Sequence, residues 1–560
     1  MSAELRGLGV SAGSAAGPAL RLGTPPKLPA AEPVVTDSQA EAERAVAALE
    51  AVGEFLRGRA EAADGAAAEI LAAEAMMAGD PALAGKVRGL AGAGRAAAWA
   101  VREALADYRA MLTAAGGYLA ERAADLDDIA DRAVALLLGE PMPGIPSPGY
   151  SFVLLAEELA PADTATLDPA AVLAIVTERG GPTSHTAILA KTLGIPAVVS
   201  CPGAASVADG TMLAVDGSAG TVLAEPSPRQ LAELARRRAE HAARLRAARG
   251  PGRTRDGHPV KLLANIGGPA DVPAVIAADA EGVGLLRTEF LFLDRRDAPS
   301  GEEQRATYAE ILAGMRGRKV VVRTLDAGAD KPLAFASQEA EPNPALGIRG
   351  LRLGALLPGL LDTQLEALAL AAKDTGADVW VMAPMVSVPA EAAAFAERAR
   401  SHGLPLAGVM IEVPAAALCA AAIIEQADFV SIGTNDLSQY TFAADRQAGA
   451  LAPLLDPWQP ALLRLIAMTA DAGRTAGKPV SICGEAASDP LLAVVLTGLG
   501  VTSLSMAPPA LAEVRAALAG HTLAQCEAAA AAALAAATPD QARTAASAAL
   551  ADQDLPSPAW

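Results

Sequence analysis

The chain of 560 residues carries 64 acidic against 45 basic side chains, a formal net charge of −19 at neutral pH. Its length accommodates three or four domains with separate cores, and its charge excludes nucleic acid and anionic membrane surfaces as natural partners. Aromatic residues reach only 3% and alanine dominates a hydrophobic share of 52%, so a helix-rich protein is expected rather than an all-β one. Cys201, Cys419, Cys483 and Cys526 are scattered without a C-x-x-C pair, which fits reduced thiols better than disulfides or a zinc site. No basic segment with an apolar core opens the chain, and no apolar run reaches bilayer-spanning length. The expectation is a cytoplasmic enzyme with no membrane insertion.

Residues 1–24 read as one or two short strands punctuated by glycine. Gly7 and Gly9 fail as a dinucleotide fingerprint because no strand precedes them and the third glycine is out of place. A proline-rich linker follows, and residues 37–140 then form an almost uninterrupted helical pattern, broken at Gly79-Asp80-Pro81 and Gly116-Gly117. Helices of this length joined by short turns make a bundle. Its acidic positions, Glu41 to Glu69, are either a solvated face or a docking surface for a partner protein.

Short strands alternate with helices from residue 151 to 224. Within them, the apolar run Val172–Val176 stops at Thr177 and leads through Gly180-Gly181 into Thr183-Ser184-His185 and a helical pattern. A glycine turn at a helix N-terminus favours an anion, and an imidazole is nucleophilic near neutrality. His185 is therefore either a phosphoryl carrier or a solvent-facing residue behind an N-cap at Thr183 or Ser184. Residues 230–249 form one long, basic-rich helix between proline and glycine breaks, the pattern of a connector.

Eight apolar runs, each followed by a helical pattern, fill the remainder: Val260–Asn265, Gly282–Leu286, Val320–Arg323, Val379–Met382, Gly408–Glu412, Phe429–Ile432, Val480–Cys483 and Thr502–Met506. Eight such units are the arithmetic of a (β/α)8 barrel, whose chemistry sits at the C-terminal ends of its strands. Those ends carry Asn265, Arg287, Arg323, Glu412, Asn435-Asp436 and Cys483. Arg287 and Arg323, with Arg349 and Arg446 nearby, would make a cationic pocket for carboxylate and phosphate. Glu412 and Asp436 are hard oxygen donors suited to Mg2+, or Glu412 pairs with an arginine. Cys483 is either an acid for proton transfer to carbon or a small buried apolar residue. No phosphate-binding loop for ATP is found, since the GRTAGKPV stretch at 473–480 has the wrong spacing.

The stretches GGPTSHTAILAKTLGIPAVV (180–199), EGVGLLRTEFLFLDR (281–295), VVRTLDAGADK (321–331), NPALGIRGLR (343–352), FVSIGTNDLSQYTFAADR (429–446) and CGEAASDP (483–490) resemble Enzyme I of the bacterial phosphotransferase system. That family is the phosphoenolpyruvate–protein phosphotransferases, and the resemblance covers essentially the whole length. It implies a multidomain α/β fold. A swivelling α/β phosphohistidine domain (1–24 and 143–224) would carry an inserted helical bundle (25–142) that docks the phosphocarrier protein HPr. A linker helix (225–251) would lead to a C-terminal (β/α)8 barrel (252–560) that binds phosphoenolpyruvate and forms the homodimer.

By the same resemblance, His185 would accept the phosphoryl group from phosphoenolpyruvate and pass it to a histidine of HPr, with Thr164 orienting the ring. Arg287, Arg323, Arg349, Asn435, Asp436 and Arg446 would bind phosphoenolpyruvate, and Glu412 and Asp436 would hold Mg2+. Cys483 would protonate the enolate carbon. Pro182, Ala329 and Ile348 depart from the family pattern without removing a charged group. Two rival readings are a dikinase relative exchanging phosphate with ATP and a non-catalytic sensor of phosphoenolpyruvate.

Overall fold

The computed structural model describes residues 3–551 apart from 12, 24, 63–65, 116–122, 160–166, 182–183, 294, 329–332, 334, 336–340, 342 and 447–448. The chain divides into two compact units that meet at residues 238 and 239.

The first unit holds three N-terminal strands, not the one or two expected: β1 (Ala3–Arg6), β2 (Leu8–Ser11) and β3 (Ser14–Arg21). The break that sequence pattern missed lies at Gly7 and Gly13, each of which interrupts extended backbone without a helical or turn signature. A helical bundle follows: α1 (Ser38–Ala62), α2 (Ala66–Ala78), α3 (Pro81–Gly92), α4 (Ala97–Ala115) and α5 (Ala123–Leu138). Ala42, Ala45, Leu49, Val52 and Leu56 on α1 are buried at helical spacing against Leu126, Ile129, Ala133 and Val134 of α5, so small side chains let the helices approach closely. The bundle has breaks beyond the two expected, between α1 and α2 and between α3 and α4, the latter at a turn after Gly92.

The chain then completes an eight-stranded sheet with β4 (Phe152–Ala156), β5 (Val172–Thr177), β6 (Ala197–Val199), β7 (Met212–Asp216) and β8 (Thr221–Ala224). The strand order is β1-β8-β7-β3-β4-β5-β6-β2. Phe152 and Leu154 pack on one face with helix α6 (His185–Leu193), while Val153 and Leu155 pack on the other. Strands buried on both faces read as the continuous apolar runs found in the sequence. The glycines that imitate a nucleotide motif have a structural use. A Cβ at Gly7 or Gly9 would collide with the carbonyl of Val199 or Gly217, and one at Gly217 or Gly220 with that of Ser11 or Gly7. Backbone crosses backbone there, and only glycine leaves the room.

Helix α7 (Pro228–Ala247) has no buried residue. The second unit is a closed barrel of β9 (Lys261–Ile266), β10 (Gly282–Leu286), β11 (Lys319–Arg323), β12 (Val379–Ala383), β13 (Ala407–Ile411), β14 (Val430–Ile432), β15 (Val480–Ile482) and β16 (Ser503–Met506). All neighbours are parallel, and β16 closes on β9. All eight expected strands are present, with ends shifted by one residue at most. Among the helices on the outside are α8 (Gly301–Gly314) after β10, α9 (Pro358–Thr375) after β11 and α10 (Pro460–Ala476) after β14.

Strand parity decides what faces the barrel interior. Val320 and Val322, Val409 and Ile411, and Val480 and Ile482 pack outward in the core beneath the helices. Their alternates Val321, Met410 and Cys483 meet in a separate cluster inside. Continuing the same alternation turns Arg323 and Glu412 inward at the C-terminal rim.

The crossing of β2 over the β7–β8 turn yields the first expected outcome. Gly217→Ala should destabilise the first unit by about 1–3 kcal/mol through overpacking against backbone that cannot move aside. Calorimetry should record an earlier first transition with the barrel transition unshifted; an unchanged scan would contradict the crossing.

Candidate active site

At the C-terminal rim of the barrel the charged residues form one connected network. Arg323, on the last position of β11, bonds Glu289 Oε1 at 2.9 Å through Nη2 and Asp326 Oδ2 at 3.1 Å through Nη1. Asp326 also takes a two-pronged hold from Arg349, Nε to Oδ1 at 2.8 Å and Nη2 to Oδ2 at 2.9 Å. Arg349 in turn reaches Asp436 Oδ1 with Nη1 at 3.0 Å. Arg446 Nη1 stands 3.8 Å from the other oxygen of Asp436. The side chains of Asp326 and Arg349 are 0% exposed.

Burying charge is costly unless each group is paired, and the pairing here is reciprocal. Burial alone would lower the pKa of Arg323, but Glu289 and Asp326, helped by Glu412 and Cys483, more than reverse it. Burial works the same way on Arg349 and is overcome by Asp326, Asp436 and Glu412. Both guanidinium groups stay charged.

Glu412 directly follows β13 and is fully buried. Its Oε1 accepts the Met385 N–H at 2.6 Å, from a buried residue held at a left-handed φ of 60°. That conformation is strained for a side-chain-bearing residue. Oε2 is buried with no hydrogen-bond partner. No arginine bonds it among the described residues, so the structural ion pair weighed for Glu412 is not formed. Burial pushes its carboxyl up to about 8, with Asp436 and Asp326 adding to the rise. A buried carboxylate oxygen without a donor, next to a second carboxylate on the neighbouring strand end, suits a cation. Among the described residues no cluster of three or more His, Cys, Asp or Glu side chains could hold a metal. The chemistry of the Glu412 and Asp436 pair fits Mg2+, which takes hard oxygen donors and draws its other oxygens from water and ligand.

Asp436 belongs to the first turn of helix α11 (Thr434–Phe442), which starts two residues after β14. Asn435, beside it, spans to the next strand end, exchanging bonds with Glu485: Nδ2 to Oε1 at 3.3 Å, and the Glu485 N–H to Oδ1 at 3.1 Å. Cys483 is buried, and its thiol donates to the Ile432 carbonyl at 3.5 Å. Burial pushes the thiol up to about 11, so it stays protonated near neutrality. Asn265 is used inside the barrel: Nδ2 donates to the Cys483 carbonyl at 3.0 Å, while Oδ1 accepts the Ser505 hydroxyl at 2.6 Å. Arg287 is exposed at the end of β10 and has no ion-pair partner among the described residues.

In the first unit, His185 opens α6, as the sequence pattern requires. Ser184, one of the two candidate caps, accepts the Ala187 N–H at 3.3 Å. The turn before it is fixed from two sides. Ser200 donates to the Gly180 carbonyl at 2.5 Å, and the Glu178 carboxylate accepts the N–H groups of Gly203 and Ala205 at 3.1 and 3.0 Å. Thr164, Pro182, Thr183 and Ala329 lie outside the described residues.

Three family profiles cover most of the chain: "PEP-utilising enzyme, N-terminal" at residues 6–122, "PEP-utilising enzyme, mobile domain" at 150–220 and "PEP-utilising enzyme, PEP-binding domain" at 241–523. The phosphoenolpyruvate-protein phosphotransferase of Streptomyces coelicolor is 55% identical over 95% of this chain and 96% of its own length. This chain belongs to the Enzyme I family. The Geobacillus stearothermophilus relative of the same name is 38% identical over 92% of both chains. The Haloferax volcanii one is 41% identical over 79% of this chain and 80% of its own.

For this Enzyme I chain, the rim joins Arg323, Arg349, Asp436 and Arg446 in one network through Asp326, and Glu412 and Cys483 lie within the electrostatic reach of Arg323. The expected cationic pocket needs correction. The buried guanidinium groups of Arg323 and Arg349 are matched by the carboxyl groups of Glu289, Asp326 and Asp436, because buried arginines could not remain charged otherwise, whereas Arg287 and Arg446 are exposed. Arg349 in particular is committed to Asp326 and Asp436 rather than turned outward. Glu289 and Asp326 were not read from the sequence as site residues. Their signal was present but faint: each is a carboxylate two or three residues past a strand-end arginine.

The four cysteines give a simple readout of this burial. Cys419 is exposed, whereas Cys201, Cys483 and Cys526 are buried, with thiols pushed up to about 11, about 11 and about 12. A raised thiol pKa means that thiolate emerges only as pH climbs toward those values. Native protein treated with an alkylating agent at about pH 8 should therefore modify Cys419 at least roughly tenfold faster than the other three. Mass mapping that found Cys483 modified first would contradict the buried, neutral thiol.

Proposed function

We propose that this chain transfers the phosphoryl group of phosphoenolpyruvate to its own His185 and then to a histidine of HPr, the first step of phosphotransferase-system sugar uptake. The observation that carries this reading is the convergence, on one barrel rim, of strand-end arginines, a buried carboxylate pair and a neutral thiol. Those are the groups needed to grip a phosphorylated carboxylate, neutralise its departing charge and protonate a carbon.

The arginines Arg287 and Arg323 bind the phosphate and carboxylate, with Arg446 closing the rim and the Asn435 amide donating to the ligand. Arg349 acts from behind, through Asp436. Glu412 and Asp436 would hold Mg2+, which would supply positive charge to offset that of the phosphorylated ligand. The His185 imidazole, oriented by Thr164, attacks phosphorus in line; an N–P bond forms as the bond from phosphorus to the enol oxygen breaks. The electron pair released makes an enolate, and the Cys483 S–H gives its proton to the methylene carbon, yielding pyruvate and a thiolate. A thiol held above the ordinary range is a reluctant acid toward water but a sufficient one toward an enolate carbon.

His185 and the rim belong to different compact units, so in-line transfer requires the histidine unit to swing between barrel and HPr. The exposed α7 helix, without a buried residue, suits a connector between moving parts. The family description "mobile domain" for residues 150–220 supports the same reading. The helical bundle docks HPr, and the barrel forms the homodimer. No helix among the described residues is long and apolar enough to cross a membrane.

Mixing the protein with phosphoenolpyruvate and Mg2+ should add one acid-labile phosphoryl group at His185, located by mass spectrometry, and HPr should discharge it. Chelation of the metal or His185→Ala should abolish the label. Labelling from ATP in place of phosphoenolpyruvate would overturn the assignment.

Cys483→Ala should leave phosphoenolpyruvate affinity within about twofold while turnover drops roughly 10²–10⁴-fold, the usual worth of a general acid. Rapid-quench measurement of pyruvate release checks it, and unchanged turnover would remove the thiol from the mechanism.

A further inference from the structure

Asp326 lies outside the set of groups that touch substrate or metal in the reaction above, yet it is the most connected carboxylate on the rim. It is completely buried. One side bonds Arg323 Nη1 at 3.1 Å, and both oxygens grip Arg349 at 2.8 and 2.9 Å. Its own N–H donates to Glu289 Oε1 at 3.1 Å, the same oxygen that takes Arg323 Nη2. Arg323 is thus held by two carboxylates that are themselves fixed to each other. The grip on Arg349 sets the direction of Nη1, which engages Oδ1 of Asp436 and leaves Oδ2 facing Arg446 at 3.8 Å.

The loop that carries Asp326 is locked as well. The Leu325 N–H donates to Gln364 Oε1 at 2.9 Å, and Gln364 Nε2 donates to the Tyr308 hydroxyl at 3.0 Å, both deep between α8 and α9. Two residues on, Gly328 sits at φ 117°, and a Cβ there would run into the Ile348 carbonyl. The Asp326 loop and the Arg349 loop are therefore packed backbone against backbone, so the carboxylate has little freedom to follow a moving arginine.

We infer that Asp326 is a positioning residue that sets two functional groups at once, the Arg323 fork for the phosphorylated ligand and, through Arg349, the Asp436 carboxylate for the divalent cation. The inference rests on the reading of the rim as a phosphoenolpyruvate and metal site. One buried carboxylate then couples the two binding events. The other clamp differs: Glu289 bonds Arg323 and the Asp326 backbone but no side chain leading to Asp436.

The test uses the full chain with His185→Ala, so that phosphoenolpyruvate binds without being consumed. Phosphoenolpyruvate affinity is measured by calorimetry, and Mn2+, standing in for Mg2+, by the electron paramagnetic resonance signal of the free ion. Adding Asp326→Asn should weaken both ligands about tenfold or more, the usual effect of losing a residue behind a metal ligand. Adding Glu289→Gln should weaken phosphoenolpyruvate while leaving Mn2+ within about twofold. A folded Asp326→Asn protein that binds both ligands as its parent does would overturn the inference.

Asp326→Asn leaves Arg349 with a buried charge and less to pair it, so a second comparison guards against misfolding. Arg349→Met and Arg349→Met/Asp326→Asn should bind Mn2+ equally, within about twofold, because the route from Asp326 to the metal runs through Arg349. A further tenfold loss in the double variant would overturn that route. Failure of the His185→Ala parent itself to bind phosphoenolpyruvate would be a different result, removing the reading of the site and the role of Asp326 with it.

Discussion

A charged side chain inside a barrel has to be answered by another, and that requirement shapes the C-terminal unit. Arg323 and Arg349 are buried, one by strand parity and the other by a loop packed against Gly328. Neither could stay charged there alone. Glu289, Asp326 and Asp436 meet that demand and in doing so fix both guanidinium planes before any ligand arrives. Preorganisation of this kind favours electrostatic catalysis, since no reorientation remains to be made when charge develops.

The same balance explains why the carboxylate pair has room for a cation. The carboxyl groups of 289, 326, 412 and 436 equal in number the guanidinium groups of 287, 323, 349 and 446, so these eight sum to zero when every one is ionised. Glu412 is the member without an arginine: its Oε2 is unmatched, and burial holds its carboxyl toward the neutral form. A divalent ion at that oxygen would make the rim positive, which is the state in which a trianionic ligand binds well. The strained Met385 amide, bonded to Oε1, keeps the carboxylate from turning to satisfy itself elsewhere. On this view the orphaned oxygen is a cost borne by the unliganded protein and removed by the proposed metal.

Much of this was legible in the sequence, for a physical reason. A strand buried on its outer face and ending in a charge leaves two marks, an apolar run and an abrupt polar residue, and both survive without any tertiary information. Arg323, Glu412 and Cys483 were found that way, and the eight strands with them. Asp326 and Glu289 were not, because a carboxylate in a loop after a strand looks the same whether it faces water or an arginine. The burial of Arg349 was hidden for a similar reason: NPALGIRGLR reads as a loop near the strand ends, and only the approach of Gly328 to Ile348 reveals that it is covered. In the first unit, Gly7 and Gly9 pack against Gly217 and Gly220, which lie about two hundred residues away. No local pattern could have joined them.

That His185 and the rim belong to different compact units suits what each proposed step demands. The proposed proton transfer from Cys483 to carbon would require a dry interior, since a thiol raised by burial would be bypassed by solvent as proton source if water had free access. Passing phosphate to a second protein requires the opposite, a histidine that an external surface can reach. One fixed site could not meet both conditions. A helix terminus that opens with His185, braced from behind by Ser200 and Glu178, can travel as a rigid piece without losing its geometry. The barrel, with its arginines already clamped, need not move at all. The proposed relay thus divides labour along a mechanical line, with rigidity on both sides of the transfer and motion confined to what joins them.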